Sequence, residues 1–258
     1  MGLQDYTLGR GKISLAPIVA GVKSAGERYV GNSTEFNLNT ESEELEHFSS
    51  DEGIKEVDES VILQLTRSGT LTLDNINDEN LALHLLGEIS DFTQMNTPVV
   101  GESIGQPQPG LSYQLGETLE NPQGVRDVSA VSVTIDPTGM SSIAALGVDY
   151  ELDSELGRVT IIEGGAIDGS VEASIDYTPS ASTRKRIVTG AKSTIEVALR
   201  FISTNPKGPR RDILIPKVTL SPSGDWSLKG DDWQTLTFNL KVGKNIGQAA
   251  MYIDGRPV

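Results

Sequence analysis

The sequence predicts a mainly β protein: an antiparallel sheet with one wet face, accompanied by one short helix. Three observations carry this. Segments 33–42, 57–66, 192–202 and 233–242 alternate apolar with polar residues, the period of a half-buried strand. The 27 Gly and 12 Pro punctuate the chain with turns. Asn77 to Gly87 carries helical rather than alternating spacing, with a cap at each end.

Taken in order, residues 1–30 read as an extended arm interrupted by Gly21 and Gly26. Residues 33–42 form a strand with Phe36 and Leu38 on one face and Glu35, Asn37, Asn39 and Glu41 on the other. Residues 43–56 read as a long connecting hairpin loop with a turn at Ser49–Gly53. Strand 57–66 returns with Val57, Glu59, Val61, Leu63 and Leu65 on one side, and Leu71 and Leu73 suggest a further short strand. Asn77 is an N-cap, Asp78 and Glu79 suit the positive end of the helix dipole, and Leu81, Leu85 and Leu86 make an apolar stripe. A helix of about ten residues needs a sheet to pack on.

Residues 95–125 are loop-rich, and strands are expected at 128–135, 146–152, 157–163 and 169–177. In the last third, Ile195, Val197, Leu199 and Phe201 share a face, opposite Thr194, Glu196, Ala198 and Arg200. Ile213–Leu220 is a strand whose Pro216 marks an edge or a bend. Leu236, Phe238, Leu240 and Val242 mark another, with Thr235, Thr237, Asn239 and Lys241 opposite, and the tail from Gly243 reads as an arm. The division that follows is a core of 1–94 with 181–258, and an insertion or outer subdomain at 95–180.

Charge narrows the function. The formal net charge of −15 lacks the basic footprint of an ordinary nucleic-acid binder. It is also uneven. Residues 35–60 hold ten acids against Lys55, and 127–176 hold ten against Arg158, whereas 184–217 hold nine bases against Glu196 and Asp212. Acidic and basic segments on identical subunits favour head-to-tail self-association. No cysteine is present, so neither a disulfide nor a thiolate metal site is expected. The longest apolar-leaning run, Ile13–Val22, is too short to span a bilayer, and no signal peptide is read at the N-terminus.

No constellation for chemistry stands out. Gly9-Arg10-Gly11-Lys12 has the wrong spacing for a phosphate loop, and Ile13 replaces its hydroxyl. Asp149, Glu151, Asp153 and Glu155 lack the glycine and spacing of a calcium loop. His47 and His84 have no metal-ligand company, and no nucleophile elbow is present. Arg184-Lys185-Arg186 has no interleaved aromatic platform, and reads as a solvated or partner-facing patch. The expectation is a non-enzymatic protein without cofactor or metal.

The strings Arg28–Phe36, Glu44–Gly53, Leu71–Ile76, Asn80–Gly87, Asn205–Gly208, Ile215–Val218 and Gly230–Gln234 resemble the major tail tube proteins of long-tailed, siphovirus-type bacteriophages. The likeness covers roughly residues 28–90 and 185–242. It implies an antiparallel β-sandwich flanked by the helix, six copies to a ring, and rings stacked into a tube. The inner sheet would close with its neighbours into an inter-subunit β-barrel around a channel for DNA, which removes exposed sheet edges.

On that resemblance Glu35, Asn37, Asn39, Glu41, Glu196 and Thr237 are candidate lumen residues. Duplex DNA would pass an acidic wall without specific binding. Hairpin acids Glu43, Glu44, Glu46, Asp51 and Glu52 would stack against Lys207, Arg210 and Arg211 of another copy. The implied partners are further copies of the chain, a tape measure protein, and tail terminator and tip proteins. The implied location is the virion, after synthesis in a host cytoplasm, with no membrane contact. A secretion-system tube subunit and a monomeric receptor- or carbohydrate-binding β domain are the alternatives.

Overall fold

The computed structural model describes residues 6–49 and 53–256. In chain order the elements are β1 (Gly11–Val19), β2 (Val22–Lys23), β3 (Arg28–Tyr29), β4 (Ser33–Ser49), β5 (Glu56–Leu73), α1 (Asp78–His84), β6 (Glu88–Gln94), β7 (Val99–Ser103), β8 (Ser112–Gln114) and β9 (Val128–Ile135). There follow β10 (Ser142–Ile143), β11 (Tyr150–Asp153), β12 (Arg158–Ile161), β13 (Ala173–Pro179), β14 (Ser182–Val188), β15 (Ile195–Ser203), β16 (Arg211–Ser223), β17 (Leu236–Val242) and β18 (Tyr252–Gly255). The protein is thus mainly β, and every strand pairing given by register is antiparallel. No helix among the described residues is long and apolar enough to cross a membrane.

The chain divides into two compact units, residues 1–90 with 187–258, and residues 91–186. The junctions expected from the sequence are 94/95 and 180/181. Both junctions in the structure fall inside β6 and β14, which pair as a two-stranded sheet of their own.

The first unit is built on one nine-stranded sheet, with the path β2-β1-β15-β16-β17-β5-β4 and with β3 and β18 joined at β1 and β16. One core cluster draws on five of its strands: Leu15, Leu73, Leu199, Leu220 and Phe238 lie in it, each at most 4% exposed. Leu81, Leu83 and Leu86 of the helical segment pack against the same cluster. Helix α1 starts where Asn77 accepts the Asn80 N–H at 2.8 Å, with Asp78 and Glu79 in its first turn. Asn80 is fully buried and ties the helix to the sheet, donating to the carbonyls of Val30 and Asn75. His84 is 7% exposed and edge-on to Phe238 at 5.5 Å; among the described residues neither ring nitrogen makes a full hydrogen bond, and the Ser223 backbone is only a weak electrostatic partner.

Three sequence expectations change. The N-terminal arm is instead β1, which pairs with β15 from Gly11↔Ser203 to Pro17↔Val197 and buries Ile13 and Ala16 completely. Leu15 and Ala16 are buried side by side and Pro17 follows, which breaks its period-two signal. The C-terminal arm contains β18, paired with β16 from Arg211↔Gly255 to Leu214↔Tyr252. The 43–56 loop is mostly strand: β4 runs on to Ser49, β5 begins at Glu56, and Leu71 and Leu73 belong to β5 rather than to a separate strand. Acidic residues depress β propensity, but pairing to the opposite strand outweighs it here. Pro216 sits at a register shift between β15 and β16, so its missing N–H is accommodated within an interior strand.

The second unit carries a four-stranded sheet, β10-β9-β13-β7, and a three-stranded one, β11-β12-β8. Val133 and Ile175 of the first sheet and Val159 and Ile161 of the second share one core. Asp149, 7% exposed, closes the loop between them by accepting the N–H groups of Ala145 and Ala166, each at 2.7 Å. Those two bonds hold its carboxyl below the usual aspartate range. Asp153 likewise accepts the Leu156 N–H at 2.9 Å, so these acids shape turns. The Tyr177 hydroxyl donates to Glu102, whose carboxylate also accepts the Gly116 N–H. Burial, then the bond to Glu102, pushes the phenol well above its ordinary value.

Candidate assembly surfaces

The sheet of the first unit has a face turned away from its core, and strand register defines its residues. Glu196, Thr219, Lys241, Ser68 and Asn39 stand directly opposite one another across five strands. Ser221, Asn239, Thr70 and Asn37 make a second row across four strands, and Ser223, Thr237, Thr72 and Glu35 a third. None of these positions is apolar. The hydroxyls of Thr72 and Thr237 lie 3.2 Å apart, the Asn37 amide donates to Glu35 at 2.5 Å, and that of Asn39 donates to Glu41 at 2.8 Å.

All six lumen candidates from the sequence therefore lie on this one face: Glu35, Asn37, Asn39 and Glu41 on β4, Glu196 on β15 and Thr237 on β17. Glu196 is ion-paired with Lys217 at 2.8 Å. Arg200, counted with this face in the sequence, is neutralised by both oxygens of Glu27, at 2.9 and 2.8 Å. The hydroxyl lanes lie outside the sequence expectations. Thr66, Ser68, Thr70 and Thr72 on β5, and Thr219, Ser221 and Ser223 on β16, recur at every second residue, a period that hydrophobic scanning ignores.

Beyond Leu38 the β4–β5 pair continues as a ribbon exposed on both faces. Residues 42–49 and 56–65 give it a length of about 26 Å at 3.3 Å per residue. Leu45, Phe48, Val57, Val61, Ile62, Leu63 and Leu65 are all exposed, Leu45 to 61%. The expected one-sided apolar face of 57–66 does not turn to the core, because β17 pairs with β5 only from Ser68 to Leu73; extra residues in β5 near Leu63 and near Asp58 further reverse the alternation. The acids divide between the faces: Glu43 lies on the side of Glu41 and Leu45, whereas Glu44 and Glu46 lie on the other. Glu44 accepts the hydroxyls of Ser42 and Ser60, and His47 meets Asp58 at 2.6 Å. Asp51 and Glu52, expected at the stacking tip, lie outside the described residues.

The basic segment 184–217 is partly spent inside the molecule. Lys185 pairs with Asp91, Arg200 with Glu27 and Lys217 with Glu196. Arg184 and Arg186 bind the carbonyls of Gly124 and Glu120 and lie over Phe92, at 4.6 and 3.7 Å from its centroid. The missing aromatic is thus supplied from β6, and the arginines cover it. Among the described residues Lys192, Lys207, Arg210 and Arg211 have no ion pair. Three of these are the bases expected to face the hairpin, and the structure puts them at the turn joining β15 to β16.

Among the described residues no cluster of three His, Asp or Glu side chains is arranged to hold a metal ion. No curated protein matches the chain. Residues 6–247 match the family described as Protein of unknown function UCP028589. The match covers nearly the whole sequence, and the chain belongs to that family.

Proposed function

We propose that this protein is a self-assembling structural subunit of a bacteriophage tail tube, forming hexameric rings that stack into a hollow conduit for DNA. The observation that carries this reading is the β4–β5 ribbon. Two strands alone in water are marginal at best, and seven exposed large apolar side chains on such an element mark a contact with another chain. The tail tube resemblance of the sequence supplies the identity of that chain as a further copy.

Two features support the same reading. The outer strand β4 offers an unpaired edge of 17 residues, which pairing with a neighbouring copy would close into the inter-subunit β-barrel. The uncored face bears hydroxyls, amides and Glu35, Glu41 and Glu196, with Lys241 in its rows and Lys217 paired to Glu196 beside them. Duplex DNA carries about one negative charge per 1.7 Å of axis, so a wall with few cations lets it slide.

Negative-stain microscopy of the purified protein tests the proposal. Rings or tubes of constant diameter are expected. Leu45→Asp with Val61→Asp, placed opposite each other on the exposed ribbon, should abolish stacking and leave circular dichroism unchanged. Single particles from the unaltered protein at every concentration, or unaltered tubes from the double variant, would sink it.

A further inference from the structure

Residues 91–186 hold fourteen acids and five bases. With acids in such excess, each base should find a carboxylate. Among the described residues only Lys185 does, at Asp91. Arg126, Arg158, Arg184 and Arg186 have no carboxylate within ion-pair reach.

Three of these guanidiniums are held close together by neutral acceptors. Arg126 donates to the Leu156 carbonyl at 2.6 Å and to the Gln123 side chain at 3.2 Å. Arg184 donates to the Gly124 carbonyl at 3.0 Å and reaches Gln94 Oε1 at 3.3 Å, the oxygen that also accepts the Arg126 backbone N–H. Arg186 donates to Asn121 Oδ1 at 2.6 Å. Burial and the nearby charges of Arg126 and Arg186 make protonation of Arg184 harder. Neutral acceptors position these side chains without cancelling their charge.

Arg126 also lines an open cleft of about 400 Å³, whose other walls are Gln114, Pro122, Gln123, Leu156 and Arg158. Gln114 is fixed there by donating to the carbonyls of Val125, Leu156 and Gly157. Arg158 is exposed on β12 and makes no side-chain hydrogen bond among the described residues, leaving its planar donor fork free. Asp153, its cross-strand neighbour, is occupied by the Leu156 N–H.

We propose that the cleft between Arg126 and Arg158 is a binding site for an anionic ligand group, a carboxylate or a phosphate. The fork of Arg158 matches either group in bidentate geometry. Arg126 supplies the second charge, the Gln123 amide a neutral donor, and Arg184 and Arg186 a positive field behind the wall. The bound anion would relieve the mutual repulsion of the arginines. A neutral ligand would gain none of this.

The test is a chemical-shift titration of the full chain with inorganic phosphate and, separately, with glucuronate, with glucose as the neutral control. Saturable binding of at least one anion is expected at a Kd of about 1 mM, with none for glucose. The anion that saturates identifies the source chemistry. Arg158→Gln should weaken binding by about tenfold or more, Arg158→Lys by less, and Lys229→Gln in the other unit should leave it unchanged. Arg158 is exposed, so circular dichroism should match throughout. The proposal is overturned if neither anion saturates, or if Arg158→Gln binds as tightly as the parent. It is also overturned if Arg158→Gln weakens only self-association, which would assign the cleft to acidic residues of a second copy.

Discussion

Replacing Asp149 with Ala removes two charge-assisted hydrogen bonds at a buried site, because its carboxylate accepts Ala145 N–H and Ala166 N–H, both at 2.7 Å. A hydrogen bond to a charged group is worth about 1.5–3 kcal/mol, so the pair sums to about 3–6 kcal/mol. The freed amides gain some hydration once the loop relaxes, which leaves an expected loss of about 3 kcal/mol for the 91–186 unit. With an m value of about 2 kcal/mol/M in urea, its midpoint should fall by about 1.5 M. Native-state hydrogen exchange at the amides of Val133 and Ile175 reads that unit directly. Asp149→Asn keeps one acceptor oxygen and should fall between the two. The carboxyl is held below its ordinary range by these bonds. Its stabilisation is therefore complete above the unfolded value of about 3.9 and is lost as pH falls through the lower folded value. Both variants should lack this acid limb. A loss under about 1 kcal/mol for Asp149→Ala, or an unchanged acid limb, would refute the reasoning.

Burial disfavours the charged form of His84, only partly offset by the Ser223 backbone, and holds it below the usual imidazole range. The first unit should therefore lose stability as pH drops below about 6.5 and level off beneath the folded value. His84→Phe should remove that slope in urea titrations taken from about one pH unit above 6.5 to about one and a half below it. A Cβ on Gly69 would lie 2.2 Å from the Asn37 carbonyl oxygen. Gly69→Val should thus force β4 from β5 at the root of the ribbon and cost about 2 kcal/mol or more, seen as faster exchange of the Asn37–Asn39 amides. Arg210→Glu with Arg211→Glu reverses two charges that have no internal ion pair, and should slow or abolish tube sedimentation while leaving the melting temperature within about 2 °C. Unchanged tubes would remove these residues from the stacking contact.

The strands with a clean alternation were legible, because one buried face writes period two into the sequence. Ile195–Leu199 and Leu236–Leu240 show it plainly. The helix was legible from Asn77 and its acidic first turn. Strand β1 was not, because Leu15 and Ala16 are buried side by side and Pro17 follows, which breaks the period-two signal. Residues 43–49 of the ribbon were misread as loop because both faces are wet and acids crowd them, whereas its return strand 57–66 was legible as a strand. Of the polar face, the charged and amide residues and Thr237 were legible, whereas Thr66, Ser68, Thr70 and Thr72 were not singled out. The anion cleft had no sequence signature at all, since Arg126 and Arg158 are separated by 32 positions and meet only through the 116–126 loop and β12.

The placement of residues 91–186 between β5 and β15 sets a schedule for synthesis. The second unit is continuous in the chain and can fold as soon as it leaves the ribosome. The first cannot: β1 must wait for β15, and β5 for β17. At about 5–20 residues per second, translating the intervening unit alone takes roughly 5–20 s. Throughout that interval β4 and β5 can already pair as a hairpin, with their apolar residues in the open. Like charges on Glu41, Glu43, Glu44, Glu46, Glu56 and Glu59 then keep nascent chains apart. The acidic run would thus protect the half-made subunit before it ever serves the finished one.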